Sequence, residues 1–500
     1  MEYFADHRKF RNDAPYITGQ TAETAVEITL SYRDLDVYSG RLAHWLKSEL
    51  GGTGIVGLVP KNELTSVLAI FALVRAGHRV LFLSPADPPA RLRRQAEALG
   101  VTTVLRSAAV PDDAYPGAAA IPAPYDLPHR EPPAAPVPAR DDEVFYFGTS
   151  GSTAAAKLVA QSHGNVVSNA EAVRRHHGLG PGDRLLGCLP IHHVNGVHFS
   201  LMATFMAGAH LILAGAFEPF GYPKLIERFR PRIASVVPSI LETLAATWRR
   251  PALPAEFGYF VSAAAPLPTA TARAVTAKLG ARVLQGYGLT ETTNFSATMP
   301  ADLSPEDIRR FLTEADIPSI GVAVPGNEMA VLAEDGTRAG VGEIGEICVR
   351  GHNVMSRYAG NPAATAAAFA GGWFHSQDLG FELRDGSGRA FFCVTGRLKN
   401  IAKVGGESVS LEEMEKVLRA VPYIQDAACV ARPHRYLGEE IIAAVVHTKD
   451  APEAVDVRPH LLAAFARSVV PSRVVRLDAI PRTATGKIRR PDLTHLLSSS

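Results

Sequence analysis

The segment Pro481-Arg-Thr-Ala-Thr-Gly-Lys487-Ile-Arg-Arg490 sets a lysine beside a glycine and close to two threonines. Taken alone, Lys487 reads as solvated charge on a loop. A second segment, Phe147-Gly-Thr-Ser-Gly-Ser-Thr-Ala-Ala-Ala-Lys157, follows an apolar run. Glycine lets backbone N–H groups approach an anion, hydroxyls donate and lysine adds positive charge. Thr149, Ser150, Gly151, Ser152, Thr153 and Lys157 therefore form a set suited to polyphosphate. The spacing is not that of a Walker loop, and the same composition also makes a plain turn. A third segment is Gly286-Tyr-Gly-Leu-Thr-Glu-Thr292. It carries Glu291 where a dinucleotide fingerprint has its third glycine, which makes a Rossmann reading poor. Tyr287 can stack on a base, Thr290 can contact phosphate and Glu291 can ligate Mg²⁺. The bland reading is a strand–turn–helix junction capped by Thr290. A fourth cluster, His192, His193 and His198, has no further ligand at matching spacing, so structural histidines outweigh a zinc centre.

These residues need elements to hold them. Leu35, Tyr38, Leu42 and Trp45 recur at helical spacing, predicting an amphipathic helix over 31–50. Apolar strands at 54–59 and 80–83 alternate with helices at 64–76 and 89–99, a βαβ pattern that predicts a parallel sheet covered by helices. Residues 111–138 hold nine prolines and many alanines and predict an extended surface connector. Alternation resumes through strands at 211–213, 234–237, 259–261 and 283–284, and the pattern turns to β over 320–350. A last, small α+β unit predicts helices over 411–418 and 457–469 and strands over 427–430 and 441–447.

The chain has 500 residues, too many for one ordinary core. A net charge of +1 argues against a nucleic-acid partner. No run of about 18 apolar residues predicts a membrane span, and the first residues lack the apolar run of a signal peptide. Cys188, Cys348, Cys393 and Cys429 show no Cys-x-x-Cys spacing, which fits a reduced, cytoplasmic setting.

In their order, these segments resemble the superfamily of acyl-CoA synthetases, peptide-synthetase adenylation domains and luciferase, over nearly the whole chain. Thr149 to Lys157 resembles that family's phosphate loop, and Ser162-His-Gly-Asn165 the helix entry after it. Leu189-Pro-Ile-His-His-Val-Asn-Gly196 is similar to the acyl- and aryl-CoA ligase form Pro-x-x-His-x-x-Gly. Ser262-Ala-Ala-Ala-Pro-Leu267 resembles the strand-loop beside adenine, and Gly286 to Glu291 the Tyr-Gly-x-Thr-Glu motif. Trp373-Phe-His-Ser-Gln-Asp-Leu-Gly380 is similar to the ribose segment, and Gly396-Arg-Leu-Lys-Asn-Ile401 to the domain hinge.

The resemblance implies an α/β fold: a large N-terminal domain of stacked, helix-covered sheets with a β-subdomain over 1–397, and a small mobile α+β lid over 398–500. It implies ATP-dependent formation of an acyl- or aryl-adenylate with release of pyrophosphate. Transfer to the thiol of coenzyme A, or to the phosphopantetheine arm of a separate carrier protein, would follow. Lys487 would bridge the carboxylate and α-phosphate; Thr149, Ser150, Gly151, Ser152, Thr153 and Lys157 would hold the outer phosphates. Thr290 would contact the α-phosphate and Glu291 would ligate Mg²⁺. Gly286, Tyr287 and Ala264 would lie at adenine, and Asp378 and Arg397 at the ribose. Lys399 would be the hinge, Gly405 and Gly406 would line the pantetheine tunnel, and His193 would gate the reaction centre. His192, Asn195, Val197, His198, Ser239, Ala263 and Gly288 would line a pocket of mixed polarity, better suited to an aromatic or short functionalised acid than to a long chain.

Departures qualify the match. Ala154 and Ala156 replace the loop's Gly and Pro, which puts ATP affinity in question and motivates a degenerate nucleotide-binding protein as one alternative. Transfer of the adenylate to a non-thiol nucleophile is another. Gln377 stands where Gly precedes the ribose Asp, a milder departure by sequence. The aspartate that binds an α-amino group in peptide-synthetase domains is missing near residue 195, which disfavours α-amino acids. A monomer or homodimer is expected.

Overall fold

The computed structural model describes residues 13–22, 24, 26–130, 137–149, 157–250, 252–404, 407–453, 455–483 and 486–498. It divides into two compact units. The first comprises Met1–Met329 and Val349–Phe374, the second Ala330–Cys348 and His375–Ser500. The division thus places 375–397 with the C-terminal part of the chain.

Two sheets build the first unit. One is seven-stranded, in the order Arg357–Ala359, Leu158–Ser162, Glu143–Gly148, Arg79–Phe82, Ile55–Val59, Val104–Arg106 and Ala119–Ala120. Its inner strands are parallel, as the βαβ alternation predicts. The helices before and between them fall where periodicity puts them, at Tyr32–Leu50, Leu64–Ala76 and Pro89–Ala98. The first is capped reciprocally by Ser31 and Asp34. The second ends at Gly77, whose φ of 89° only glycine adopts without strain. Helix Leu64–Ala76 is buried on nearly every side, and its one charge, Arg75, is neutralised by Asp36 at 2.9 Å.

The second sheet of this unit runs Ser319–Ala323, Phe295–Thr298, Arg282–Gly288, Tyr259–Ser262, Ile233–Val236, Arg184–Gly187, His210–Leu213, Pro15–Gln20 and Glu27–Ser31. The proline-rich stretch is more than a surface connector. Ala119–Ala120 pairs in parallel with Leu105–Arg106, and Ile121 is buried beyond it. Proline excludes helix there but does not prevent a short edge strand.

In the second unit, Gly345–Gly351, Phe374–Arg384 and Ala390–Arg397 are neighbouring strands. A separate sheet is formed by Glu407–Ser410, Ile401–Val404, Gly438–His447 and Ile424–His434, with Arg473–Arg476 added in parallel. Its strands alternate faces with period two. Ala427, Cys429, Ile441 and Ala443 meet Leu411, Met414 and Leu418 of helix Leu411–Arg419 on one side. Ala428, Val430, Ile442 and Ala444 meet Ile480, Leu493 and Leu497 on the other. The helix expected over 457–469 spans only Arg458–Ala464. Phe465 turns extended, with φ −132° and ψ 151°, and packs against the first of these cores.

Candidate active site

Strand Arg282–Gly288 begins parallel to Tyr259–Ser262 and ends antiparallel to Phe295–Thr298, so the chain must reverse within a few residues. A Cβ at Gly288 would lie 1.6 Å from the Asn294 carbonyl oxygen, and one at Gly286 would lie 2.7 Å from the Phe295 ring. Both glycines are therefore steric requirements. Thr293 takes φ 63°, a conformation unfavourable for a β-branched residue. Its Oγ1 donates to the Asn353 carbonyl at 2.6 Å, and Asn353 Nδ2 donates to the carbonyls of Thr292 and Phe295. Buried side-chain bonds thus offset the backbone strain.

Thr290 and Glu291 are held from outside the turn. The Thr290 carbonyl accepts from Gln161 Nε2 at 2.9 Å, and Gln161 Oε1 meets His198 Nε2 at 2.8 Å. Because Gln161 donates with its nitrogen to a carbonyl, its oxygen faces the histidine, and His198 carries its proton on Nε2. Full burial near Phe145 and Phe147 pushes His198 down to about 3, so it stays neutral. His198, expected in the acid pocket, has a fully buried side chain that also steadies the Thr290 turn through Gln161.

Glu291 Oε1 accepts from the Tyr358 hydroxyl at 2.9 Å, and Lys157 Nζ lies 4.5 Å from the centroid of the same ring. Burial, reinforced by the Glu291 charge, raises the Tyr358 phenol far above its ordinary range, so it remains a donor. Strand Arg357–Ala359 brings this tyrosine in by pairing antiparallel with Leu158–Ser162, which begins one residue after Lys157. Tyr358 lies in no motif of the sequence, and no signal there singles it out. Thr149 N donates to the Lys157 carbonyl at 2.9 Å. Ser150, Gly151, Ser152 and Thr153, with Ala154 and Ala156, lie outside the described residues.

The Pro190-Ile-His-His193 turn leads into a π-helix at Asn195–Ala203, a widened geometry common at functional sites. A Cβ at Gly196 would come 2.3 Å from the Pro190 carbonyl oxygen, so glycine permits this entry. His192 and His193 have ring centroids 4.4 Å apart. Burial, reinforced by His193, holds His192 well below the ordinary imidazole range. Asn195 Oδ1 accepts from Ser235 Oγ at 3.0 Å, a contact with no sequence signal. Val197 and Ala263 are buried, while Ser239 is exposed on helix Pro238–Thr247. Ala264 adopts φ 70°, which costs a non-glycine residue about 1–2 kcal/mol.

In the second unit, Asp378 and Arg397 are register partners, and Arg397 Nε meets Asp378 Oδ1 at 2.6 Å. Asp378 is almost wholly buried, and its N–H donates to Ser376 Oγ. Gln377 is not a mild departure. It adopts φ 64°, the conformation for which glycine is suited, and it is held there by Glu346 Oε1. That oxygen accepts from Gln377 N at 2.8 Å and from Nε2 at 3.2 Å.

Lys487 sits in a pinned loop of the same unit. Thr483 N donates to the Lys487 carbonyl, Arg489 N to the Pro481 carbonyl, and Lys487 N to Thr483 Oγ1. Arg482 forms a bidentate pair with Asp426 and also donates to the Gly486 carbonyl at 2.7 Å. Arg490 anchors the far end through Glu415 at 2.6 Å. Lys399 is exposed on a short 3₁₀ turn, Leu398–Asn400, and Gly405 and Gly406 lie outside the described residues.

Fold and side chains together define an adenylate-forming enzyme. Residues 6–359 match the AMP-binding enzyme family and residues 413–487 the AMP-binding enzyme C-terminal domain; the chain belongs to this family. It is 32% identical over 445 residues to the sulfoacetate–CoA ligase of Cupriavidus necator, covering 88% of this chain and 83% of that one. It is 30% identical to the indoleacetate–CoA ligase of Aromatoleum aromaticum, covering 96% of each. The ATP-bound structure of MatB from Rhodopseudomonas palustris superposes with a TM-score of 0.83 at 26% identity, covering 99% of this chain and 98% of that one.

Proposed function

We propose that the protein activates a carboxylic acid with ATP and passes the acyl group to the thiol of coenzyme A. In the first step a carboxylate oxygen attacks the α-phosphorus, the bond to the β-phosphate bridging oxygen breaks, and pyrophosphate leaves. In the second the thiol sulfur attacks the carbonyl carbon, AMP leaves and the thiol proton passes to solvent. The observation that carries this reading is the placement of Lys157 and Glu291 about one buried tyrosine, Tyr358, on a turn that Gly288 makes sterically obligatory.

The residues fit a Mg²⁺–nucleotide. Glu291 Oε2 has no hydrogen-bond partner among the described residues, and a carboxylate oxygen is a suitable ligand for Mg²⁺. Bound there, Mg²⁺ supplies charge neutralisation on the phosphates. Lys157 adds a cation for the outer phosphates, Thr290 a hydroxyl for the α-phosphate, and Tyr287 and Ala264 the adenine contacts. Asp378 accepts both ribose hydroxyls, with Arg397 orienting its carboxylate. Lys487 offsets the charge that develops as two anions react. The N-terminal functional domain ends at 397, and a swing at Lys399 exchanges the Lys487 loop for the thiol tunnel at Gly405 and Gly406.

His192, Asn195, Val197 and Ala263 line the acid pocket, and His193 gates it. The His192 imidazole, held neutral by burial, and the Asn195 amide suit a short functionalised or aryl-substituted acid, the range spanned by the sulfoacetate and indoleacetate ligases. The four buried free cysteines suit a reducing, cytoplasmic setting. The test is ATP–pyrophosphate exchange across sulfonated, dicarboxylic and arylacetic acids, followed by mass spectrometry with coenzyme A. Acid-dependent exchange and an acyl-CoA product are expected. Exchange without any acyl-CoA would reassign the acceptor to a carrier protein or a non-thiol nucleophile.

A further inference from the structure

Glu346, Cys348 and His375 bring three different metal-ligating atoms together in the second unit. Glu346 and Cys348 are two residues apart on strand Gly345–Gly351, so their side chains share one face. His375 comes from the neighbouring strand, Phe374–Arg384. His375 Nδ1 lies 2.7 Å from Glu346 Oε2 and 3.6 Å from Cys348 Sγ, and one ligand atom from each residue falls within 4.8 Å of the others. Ligands at about 2.0–2.3 Å from a tetrahedral zinc ion stand roughly 3.2–3.7 Å apart, so only small side-chain shifts separate this arrangement from a coordination shell. Cys348 is fully buried, whereas the Glu346 and His375 side chains are 14% and 22% exposed, so the cluster is not sealed from solvent.

We propose that Glu346 Oε2, Cys348 Sγ and His375 Nδ1 form a binding site for one thiophilic divalent cation, Zn²⁺, distinct from the Mg²⁺ of the nucleotide. Sulfur and imidazole select Zn²⁺ over Mg²⁺, which takes oxygen ligands. Binding forms a Zn–S bond, and the Cys348 proton leaves to solvent; His375 coordinates as the neutral ring with its other nitrogen protonated.

The site has a built-in consequence for ATP, which rests on the reading of Asp378 as the ribose acceptor. Glu346 Oε1 holds Gln377 in its left-handed conformation immediately before Asp378. A cation drawing on the same carboxylate weakens that hold, and Zn²⁺ therefore raises the KM for ATP while leaving Mg²⁺ dependence in place.

Binding is tested without turnover. The full-length protein, freed of metal, is titrated with Co²⁺ in excess Mg²⁺ and followed by thiolate-to-cobalt charge-transfer absorption, with Zn²⁺ displacing the Co²⁺. One equivalent of absorbing, Zn²⁺-displaceable Co²⁺ is expected in the wild type. C348A should abolish the band, and H375Q should weaken Zn²⁺ affinity by about 100-fold or more. C348A is the conservative truncation of a buried thiol, and circular dichroism checks that each variant is folded. No band in the wild type, or a band that survives in folded C348A, overturns the proposal. A band with no change in KM for ATP retains the metal site and refutes only its link to Asp378.

Discussion

The Gly286–Thr292 turn and the Pro481–Arg490 loop each carry a charged side chain with a proposed role, Glu291 and Lys487, but they are held in contrasting ways. The turn is fixed by buried, largely neutral hydrogen bonds: Gln161 on the Thr290 carbonyl, Asn353 on two further carbonyls, and Tyr358 on Glu291. The loop is fixed by two ion pairs, the partly exposed Arg482–Asp426 and the largely buried Arg490–Glu415, above a core that includes Ile480 and Leu493. A buried polar network tolerates little loss, because each orphaned group keeps its full desolvation cost. The partly exposed Arg482–Asp426 pair, by contrast, loses little when it is cut. The geometry thus makes the Gly286–Thr292 turn intolerant of losing a partner and leaves the Lys487 loop one partly exposed pair, Arg482–Asp426, that can be cut at small cost.

The largest predicted effect is on Lys487. K487A should lower the adenylation rate by ~10²–10³-fold, while thioester formation from supplied acyl-adenylate survives; assaying the two half-reactions separately checks this. Unchanged adenylation would remove the loop from the chemistry. G288A comes next. Its Cβ cannot coexist with the Asn294 carbonyl, so the turn should shift, at a cost of about 1–3 kcal/mol in urea denaturation, with loss of ATP binding by calorimetry.

Y358F probes the buried side of the comparison more finely. It keeps the ring beneath Lys157 and removes the donor to Glu291, worth about 1.5–3 kcal/mol for a bond to a charged group, and should weaken Mg²⁺ activation roughly tenfold or more. R482A probes the exposed side. It should cost only about 0.2–1 kcal/mol of stability and slow adenylation more than thioester formation. If R482A destabilised the protein more than G288A, the contrast between the regions would fail.

The smallest effect is on pH dependence. His198 is held neutral down to about 3, below its unfolded value near 6.5, so the unfolded chain binds the extra proton between those values. This contribution to stability is full above about pH 6.5 and declines as pH falls towards 3. His176, His177, His192 and His210 are depressed in the same direction, by burial in each case. The urea midpoint should therefore fall between pH 7 and pH 5, and H198Q should flatten that slope slightly.

Much of this was legible because it is written in local pattern. Periodicity located helices Tyr32–Leu50 and Leu64–Ala76, and the Ser162–Asn165 segment is the reciprocal cap expected at a helix entry. Motif order pointed to Glu291, Lys157, Asp378 and Lys487. Tyr358 and Gln161 were not legible, because their roles come from strand pairing across long sequence separations. Gln377 was misjudged, since sequence shows the missing glycine but not the φ of 64° or the Glu346 carboxylate that offsets it. The 457–469 helix ends at Ala464, where Phe465 turns extended and packs on the core, a tertiary contact that local periodicity does not show.

ATP–pyrophosphate exchange in wild type and K487A, over the same acid panel, tests the central claim most directly. Exchange should require an acid and Mg²⁺ and collapse in K487A. Tight ATP binding with no exchange for any acid would contradict it, and would leave a nucleotide-binding protein without ligase chemistry.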